Sequence, residues 1–368
     1  MKTEDAYLNI PSVTVGNLVG MLSAFYANAI KKAALLKEVP AVILWGSPGI
    51  GKSQAIKQIA QKIEGNTGKK VVVTDVRLLL FNPIDLRGMP TVNEDKTLSV
   101  WLKPKIFEMD ESDDVINILF LDELSAAPAT LQAAAYQICL DRQVGEHKLP
   151  QNCIVLAAGN RTTDKSVSFK MPKALCNRLM HFNVTTNYKI WLQWALANGI
   201  DSRIIGYLAF AESKLCIDPE SSDMAYSTPR SWEMVNNILK FTDGDIESSR
   251  TLIAACVGMD TALEFETWAK THDKLPTVEE VLSGRKVKYP PTSDALLAFM
   301  ASIVSAIRSN KEDISVAELE NACAYINKIP IDFATMFYGD LNSIKEVGLK
   351  LMKCPAYHAW VSKNKNRI

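Results

Sequence analysis

Residues Gly46-Ser-Pro-Gly-Ile-Gly-Lys-Ser53 fit the pattern G-x-x-x-x-G-K-[ST] at every fixed position. The chemistry of that pattern is anion capture. Glycines let the backbone wrap closely, so that successive N–H groups aim inward at phosphate oxygens. A helix starting at the end of the loop adds partial positive charge, a lysine reaches the β- and γ-phosphates, and a hydroxyl ligates magnesium. The expected nucleotide-contacting set is Gly46, Ser47, Pro48, Gly49, Ile50, Gly51, Lys52, Ser53 and Gln54. The expected ligand is a nucleoside triphosphate carrying Mg2+.

A second constellation follows downstream. Ile116-Asn-Ile-Leu-Phe-Leu-Asp122-Glu123 is an apolar run ending in two carboxylates. A buried strand of this kind delivers its last residues to the C-terminal edge of a parallel sheet, beside the phosphate loop. Ser53 and Asp122 are then the expected metal-holding pair, and Glu123 the residue that orients an attacking water. A further apolar run ends Ala157-Ala-Gly159-Asn160, placing a neutral amide where it can hydrogen-bond both water and γ-phosphate. Taken alone, an asparagine at a strand end is more often a turn residue.

The elements that must position these groups alternate. Ala41–Trp45, Lys70–Asp75, Val115–Leu121 and Cys153–Ala158 read as buried strands, and Gln54–Ile63 as a helix with apolar residues at helical spacing. Val15, Leu18, Val19, Leu22, Phe25, Tyr26 and Ala29 trace an amphipathic helix ahead of the first strand, set at 13–36. Such alternation predicts an α/β fold with a parallel sheet covered on both faces. Residues 90–101 read as a β-hairpin with a polar turn, and a shorter hairpin is expected around Gly145.

Beyond about residue 186 the strand signals stop and helical periodicity takes over. The expected organisation is a nucleotide-binding core over 1–187, a helical lid over 188–273, and a linker with a helical extension over 274–368. Thr228-Pro229 and Ser315-x-x-Glu318 mark helix starts. Trp191, Trp194, Trp232 and Trp268 fall on apolar helix faces and are read as lid packing. Arg161, Lys165, Lys170 and Lys173 form a short basic cluster, read first as a solvated loop. His181 is read as a strand cap.

Composition narrows the class. Of 368 residues, 48% are apolar and 22% charged, as in an ordinary globular chain, and 41 basic residues balance 41 acidic ones. Nothing in that balance points to nucleic acid or an anionic membrane. Seven cysteines without paired spacing argue for reduced thiols, and four scattered histidines offer no zinc site. The N-terminus lacks signal-peptide form, and the apolar stretch 295–307 is too short to span a bilayer. The expected location is the cytoplasm, with no membrane partner.

The series resembles the AAA+ ATPases, a P-loop NTPase fold with an all-α lid. In that resemblance Asn160 matches the sensor-1 residue, and Pro172–His181 is similar to the segment bearing the arginine finger, which points to Arg178. Ser227-Thr-Pro-Arg-Ser-Trp232 looks like the start of the sensor-2 helix, which points to Arg230. Asn82–Pro90 with the hairpin after it resembles the helix-2 insert of the MoxR branch, placed at about 82–104. The likeness runs over roughly 10–270; the remaining C-terminal residues match no named pattern.

What the resemblance implies is an ATPase using ATP and Mg2+, assembled as a homo-oligomeric ring, most often a hexamer. The implied catalytic set is Lys52, Glu123, Asn160, Arg178 and Arg230. The branch implies a remodelling chaperone with a von Willebrand factor A domain partner and a protein client. Two other readings stay open: a nucleic-acid motor on the same fold, and a nucleotide-gated scaffold with negligible turnover. Whether Arg230 serves its own site or a neighbouring one is also open.

Overall fold

A computed structural model describes residues 9–32, 36–164, 169, 171–219, 223–272, 277–290 and 293–364. The chain forms two compact units, one of residues 1–187 with 218–223, the other of 188–217 with 224–368.

The first unit begins with β1 (Ser12–Thr14) and α1 (Val15–Lys31). The N-terminal helix expected over 13–36 is therefore shorter. Ser12–Thr14 pair in parallel with residues 183–185, and the Thr14 hydroxyl accepts the Asn17 N–H to cap the helix. Next come β2 (Ala41–Trp45), α2 (Lys52–Thr67), β3 (Lys70–Arg77), α3 (Pro83–Arg87), β4 (Met89–Val92), β5 (Ser99–Leu102) and β6 (Val115–Asp122). The unit continues with α4 (Ala129–Asp141), β7 (Gln143–Val144), β8 (His147–Lys148), β9 (Cys153–Gly159), α5 (Lys173–Cys176) and β10 (Leu179–Thr185).

Six strands make one parallel sheet in the order β1-β10-β2-β9-β6-β3. Two of them, β1 and β10, add to the four expected from the sequence. Strands β2 and β9 are buried throughout, as both faces of a parallel sheet require. Ala41, Ile43 and Trp45 face a core shared with Leu119, Leu121, Val155, Ala157 and the α4 residues Leu131, Ala135 and Ile138. Asn117 is the polar exception within β6; its side-chain amide donates to the Asp110 carbonyl at 2.7 Å and to Asn152 Oδ1 at 3.1 Å.

Two small antiparallel hairpins stand apart from the sheet, β4–β5 and β7–β8. In the first, Asn93 Oδ1 accepts the Thr97 and Leu98 N–H groups and closes the polar turn. The second is fastened to the first: His147 Nε2 lies 2.8 Å from the Trp101 carbonyl oxygen.

The second unit is helical: α6 (Tyr188–Ala197), α7 (Ser202–Phe210), α8 (Pro229–Phe241), α9 (Ile246–Val257), α10 (Met259–His272) and α11 (Val278–Leu282), then α12 (Ser293–Ser309), α13 (Val316–Ile326), α14 (Ile331–Asn342), α15 (Lys345–Leu351) and α16 (Pro355–Asn364). Trp232, Tyr207 and Phe265 pack tilted or edge-to-face with centroids 5.4–5.6 Å apart and anchor the core of α6–α10, with Trp191 and Trp268 in the same cluster. Helices α11–α16 bury a separate cluster around Ile303, Ile326, Phe337 and Leu351. Within the stretch read as a linker, Thr277 and Glu280 form a capping box that opens α11. All seven cysteines are free thiols. Among the described residues, no helix is long and apolar enough to cross a membrane.

The α9–α10 contact contains a carboxylate with little exposed surface. Arg250 donates to both oxygens of Glu266, and Lys270 Nζ sits 2.9 Å from Oε1. These bonds, Arg250 first, hold the Glu266 carboxyl down at about 2. A depressed folded-state value contributes stability above the ordinary carboxylate range, and that contribution is lost as pH falls toward 2. Glu266→Gln is expected to lower the urea midpoint at pH 6, and the gap to the native protein should narrow steadily between pH 5 and 2. A gap independent of pH would assign the loss to packing instead.

Candidate active site

The phosphate loop leaves β2 at Gly46 and enters α2 at Lys52. Gly51 is the N-cap residue with φ +101°, a left-handed conformation that a side chain would strain. No side chain caps α2, so its first N–H groups face the loop. Lys52 is buried, and its ammonium donates to the Gly46 carbonyl at 2.5 Å, the Ser47 carbonyl at 3.0 Å and Asn160 Oδ1 at 2.9 Å. Ser53 Oγ donates to Asp122 Oδ2 at 2.9 Å.

Strand order produces this meeting. Because β9 lies between β2 and β6, the residue after its tip, Asn160, stands between the phosphate loop and the carboxylates. Gly159 is needed there, since a Cβ would come within 2.9 Å of Ser125 Oγ and 3.2 Å of the Trp45 ring. Ser125 clamps the position from both sides: its hydroxyl donates to the Asn160 carbonyl at 3.0 Å and accepts the Asn160 N–H at 2.9 Å.

Glu123 follows Asp122 with φ +59°, and its N–H donates to Asp122 Oδ1 at 2.9 Å. A left-handed glutamate costs about 1–3 kcal/mol of backbone strain, and such outliers gather at functional sites. The Glu123 carbonyl then receives the Ala126 and Ala127 N–H groups, which turn the chain toward α4. Asp75 on β3 adds to the acidic edge; burial, and then the Asp122 charge, raise its pKa.

Lys52, Ser53, Asp122, Glu123 and Asn160 are thus brought together by the start of α2 and the C-terminal ends of β6 and β9. The donor set fits Mg2+: one carboxylate and one hydroxyl, with the rest left to water and phosphate oxygens, is how that ion is commonly held. Arg178 lies elsewhere in this unit, exposed, on the turn between α5 and β10. Arg230 is the second residue of α8, exposed, in the helical unit.

Sequence reasoning missed a brace beside the loop. Arg161 was read with a solvated basic cluster, but its guanidinium donates to Ser47 Oγ at 2.7 Å, Asp164 Oδ1 at 2.8 Å and Asn183 Oδ1 at 3.3 Å. Ser47 Oγ in turn donates to Asp164 Oδ1 at 3.1 Å, and the Asp164 side chain is 4% exposed. Lys165 and Lys170 of that cluster lie outside the described residues. Nor does His181 cap a strand. It sits within β10, where Nδ1 accepts the Trp45 indole N–H at 2.9 Å, which leaves Nε2 to donate to the Cys176 carbonyl at 2.7 Å. Three of these bonds join residues more than 100 positions apart in sequence, so no local pattern marks them.

Removing Asp164 would leave Arg161 partly buried without its anion and Ser47 without its acceptor. Asp164→Ala is expected to weaken nucleotide binding about ten-fold, within the range carried by a charge-assisted hydrogen bond. Titration with a fluorescent nucleotide checks this; unaltered affinity would mean the loop holds its shape without the brace.

Residues 41–181 match the family model described as "ATPase family associated with various cellular activities (AAA)". Among solved structures, C. elegans PCH-2 is 15% identical, with 74% of this chain and 73% of that chain covered and a TM-score of 0.36. A Thermotoga maritima RuvB mutant is 16% identical over 73% and 74%, at 0.36. The Aeropyrum pernix Orc1 protein in complex with DNA is 12% identical over 94% and 88%, at 0.40. A search of curated proteins finds no match. The phosphate loop, both carboxylates and Asn160 all lie inside the matched segment.

Proposed function

We propose that this chain hydrolyses ATP and uses the cycle to remodel a protein client, as a subunit of a homo-oligomeric ring of MoxR type. The observation that carries the reading is the convergence of Lys52, Ser53, Asp122, Glu123 and Asn160 within hydrogen-bonding distance along one sheet edge. Phosphoryl transfer requires charge neutralisation and a positioned nucleophile more than covalent help from the protein, and this set supplies both.

The loop N–H groups and Lys52 bind the β- and γ-phosphates. Ser53 and Asp122 would hold Mg2+, which would supply neutralisation of phosphate charge. Glu123 accepts a hydrogen bond from water and aims its oxygen at the γ-phosphorus. The water oxygen forms its bond to the γ-phosphorus as the bridging bond breaks; the bridging oxygen leaves with its electron pair on ADP, and the water's proton passes by way of Glu123 to the released phosphate. Asn160 supports the water and the γ-phosphate. Arg178 serves the site of a neighbouring subunit, where its guanidinium pairs with charge spreading over the transferred oxygens. Arg230 acts as the lid's sensor arginine.

We read 1–187 as the core, 188–273 as the lid and 274–368 as a C-terminal extension. The MoxR reading draws support from α3 and the β4–β5 hairpin, inserted between β3 and β6. That hairpin exposes Met89 (62%), Val92 (63%), Leu98 (65%) and Leu102 (55%), an apolar surface suited to gripping a protein. A von Willebrand factor A domain partner, a hexameric ring and a cytoplasmic location belong to the same proposal.

Glu123→Gln is expected to lower kcat at least about 100-fold while nucleotide affinity stays within about two-fold. Equal turnover in both proteins would favour a scaffold that binds nucleotide without using it. Arg178→Ala should lower kcat about 1,000-fold, again with affinity preserved. Mixed with Lys52→Ala protein, it should regain activity if the arginine acts across a subunit boundary; absence of rescue at any mixing ratio counts against a shared site. ATPase stimulation by single-stranded DNA, falling with salt, would move the client from protein to nucleic acid.

A further inference from the structure

The arginine assigned above to the neighbouring site is a long, exposed side chain, and a flexible guanidinium must be presented in one direction to act on a transition state. In this structure it is not left to solvent. Arg178 Cζ lies 5.4 Å from the centroid of the Tyr136 ring, within cation–π range. Tyr136 is half-buried on α4 and packs against the core, so its ring is a fixed surface. The backbone beneath Arg178 is fixed as well. Its N–H donates to the carbonyl of the fully buried Leu175 at 3.1 Å, and the adjacent Cys176 carbonyl is held by His181.

From this geometry we propose that Tyr136 is a positioning residue for Arg178, holding the guanidinium over its ring by a cation–π contact so that it is presented outward in a single orientation. The proposal rests on the reading of Arg178 as the arginine finger. The ring face carries the effect: a cation over an aromatic quadrupole is held by the π-system, and a phenol hydroxyl is not required. The turn built on Glu123 leads into helix α4, so the ring on which Arg178 rests lies on the helix that follows the water-orienting residue.

Three substitutions at this position separate the ring from mere bulk. Tyr136→Phe keeps the π-face and is expected to retain kcat within about two-fold. Tyr136→Leu keeps apolar volume without a ring and is expected to lower kcat about ten-fold, with KM and fluorescent-nucleotide affinity unchanged. Tyr136→Met is a second ringless variant of matching bulk should the leucine protein fail to fold. Thermal unfolding of each is measured alongside, and the kcat ordering is expected not to follow it. Leucine or methionine behaving as phenylalanine does would overturn the proposal, as would a ringless variant that turns over faster than the native protein. Arg178→Ala in the same assay keeps the two claims apart. If it hydrolyses normally, the finger assignment fails; if it is inactive while Tyr136→Leu is normal, only the positioning role fails.

Discussion

The placement of β9 between β2 and β6 is the constraint on which the site depends. A parallel sheet buried on both faces admits almost no polar side chains along its strands, and β2 and β9 carry none. Polar chemistry is confined to where strands end. With β9 in the middle, its exit must fit between a lysine-bearing loop and a carboxylate pair. Gly159 provides the clearance and Ser125 fixes the direction. The ammonium of Lys52, the amide of Asn160 and the acids of β6 then meet without any loop having to be long.

Around that centre, the structure works by bracing rather than by bulk. Ser47 is held by Arg161 and Asp164, and Arg161 also reaches β10 through Asn183. Trp45, at the end of the strand entering the loop, hydrogen-bonds His181 with the two rings nearly coplanar, at 5° and 6.1 Å between centroids. Both braces tie the phosphate loop to β10, the strand that follows Arg178. Loop and arginine turn therefore share a support although they lie more than 120 residues apart.

What the sequence disclosed follows from the range of each interaction. The loop, the Asp122-Glu123 pair and the Gly159-Asn160 strand end are short patterns in which residue type and neighbours carry the information. Helix starts at Thr228 and Ser315 were legible for the same reason, since an N-cap and its partner lie three residues apart. Strand β10 was hidden because Leu179-Met-His-Phe-Asn-Val-Thr mixes polar and apolar residues. His181 and Asn183 are polar yet bonded sideways to Trp45 and Ser12, so hydropathy does not reveal that they sit inside a sheet. β1, at three residues, is too short to show periodicity. Arg161 looked like part of a charged surface because its partners come from positions 47, 164 and 183, and only folding assembles them.

The left-handed backbone at Glu123 has a consequence for anyone who would engineer this chain. Glycine, and to a lesser degree asparagine, occupies that conformation with less strain than glutamate. A screen that rewards thermostability alone would therefore drift toward replacing this residue, and each such gain would delete the carboxylate next to Asp122. Position 123 is a place where the folding optimum and the working optimum call for different amino acids. Libraries built on this scaffold need a turnover readout there, because a melting curve would reward the loss.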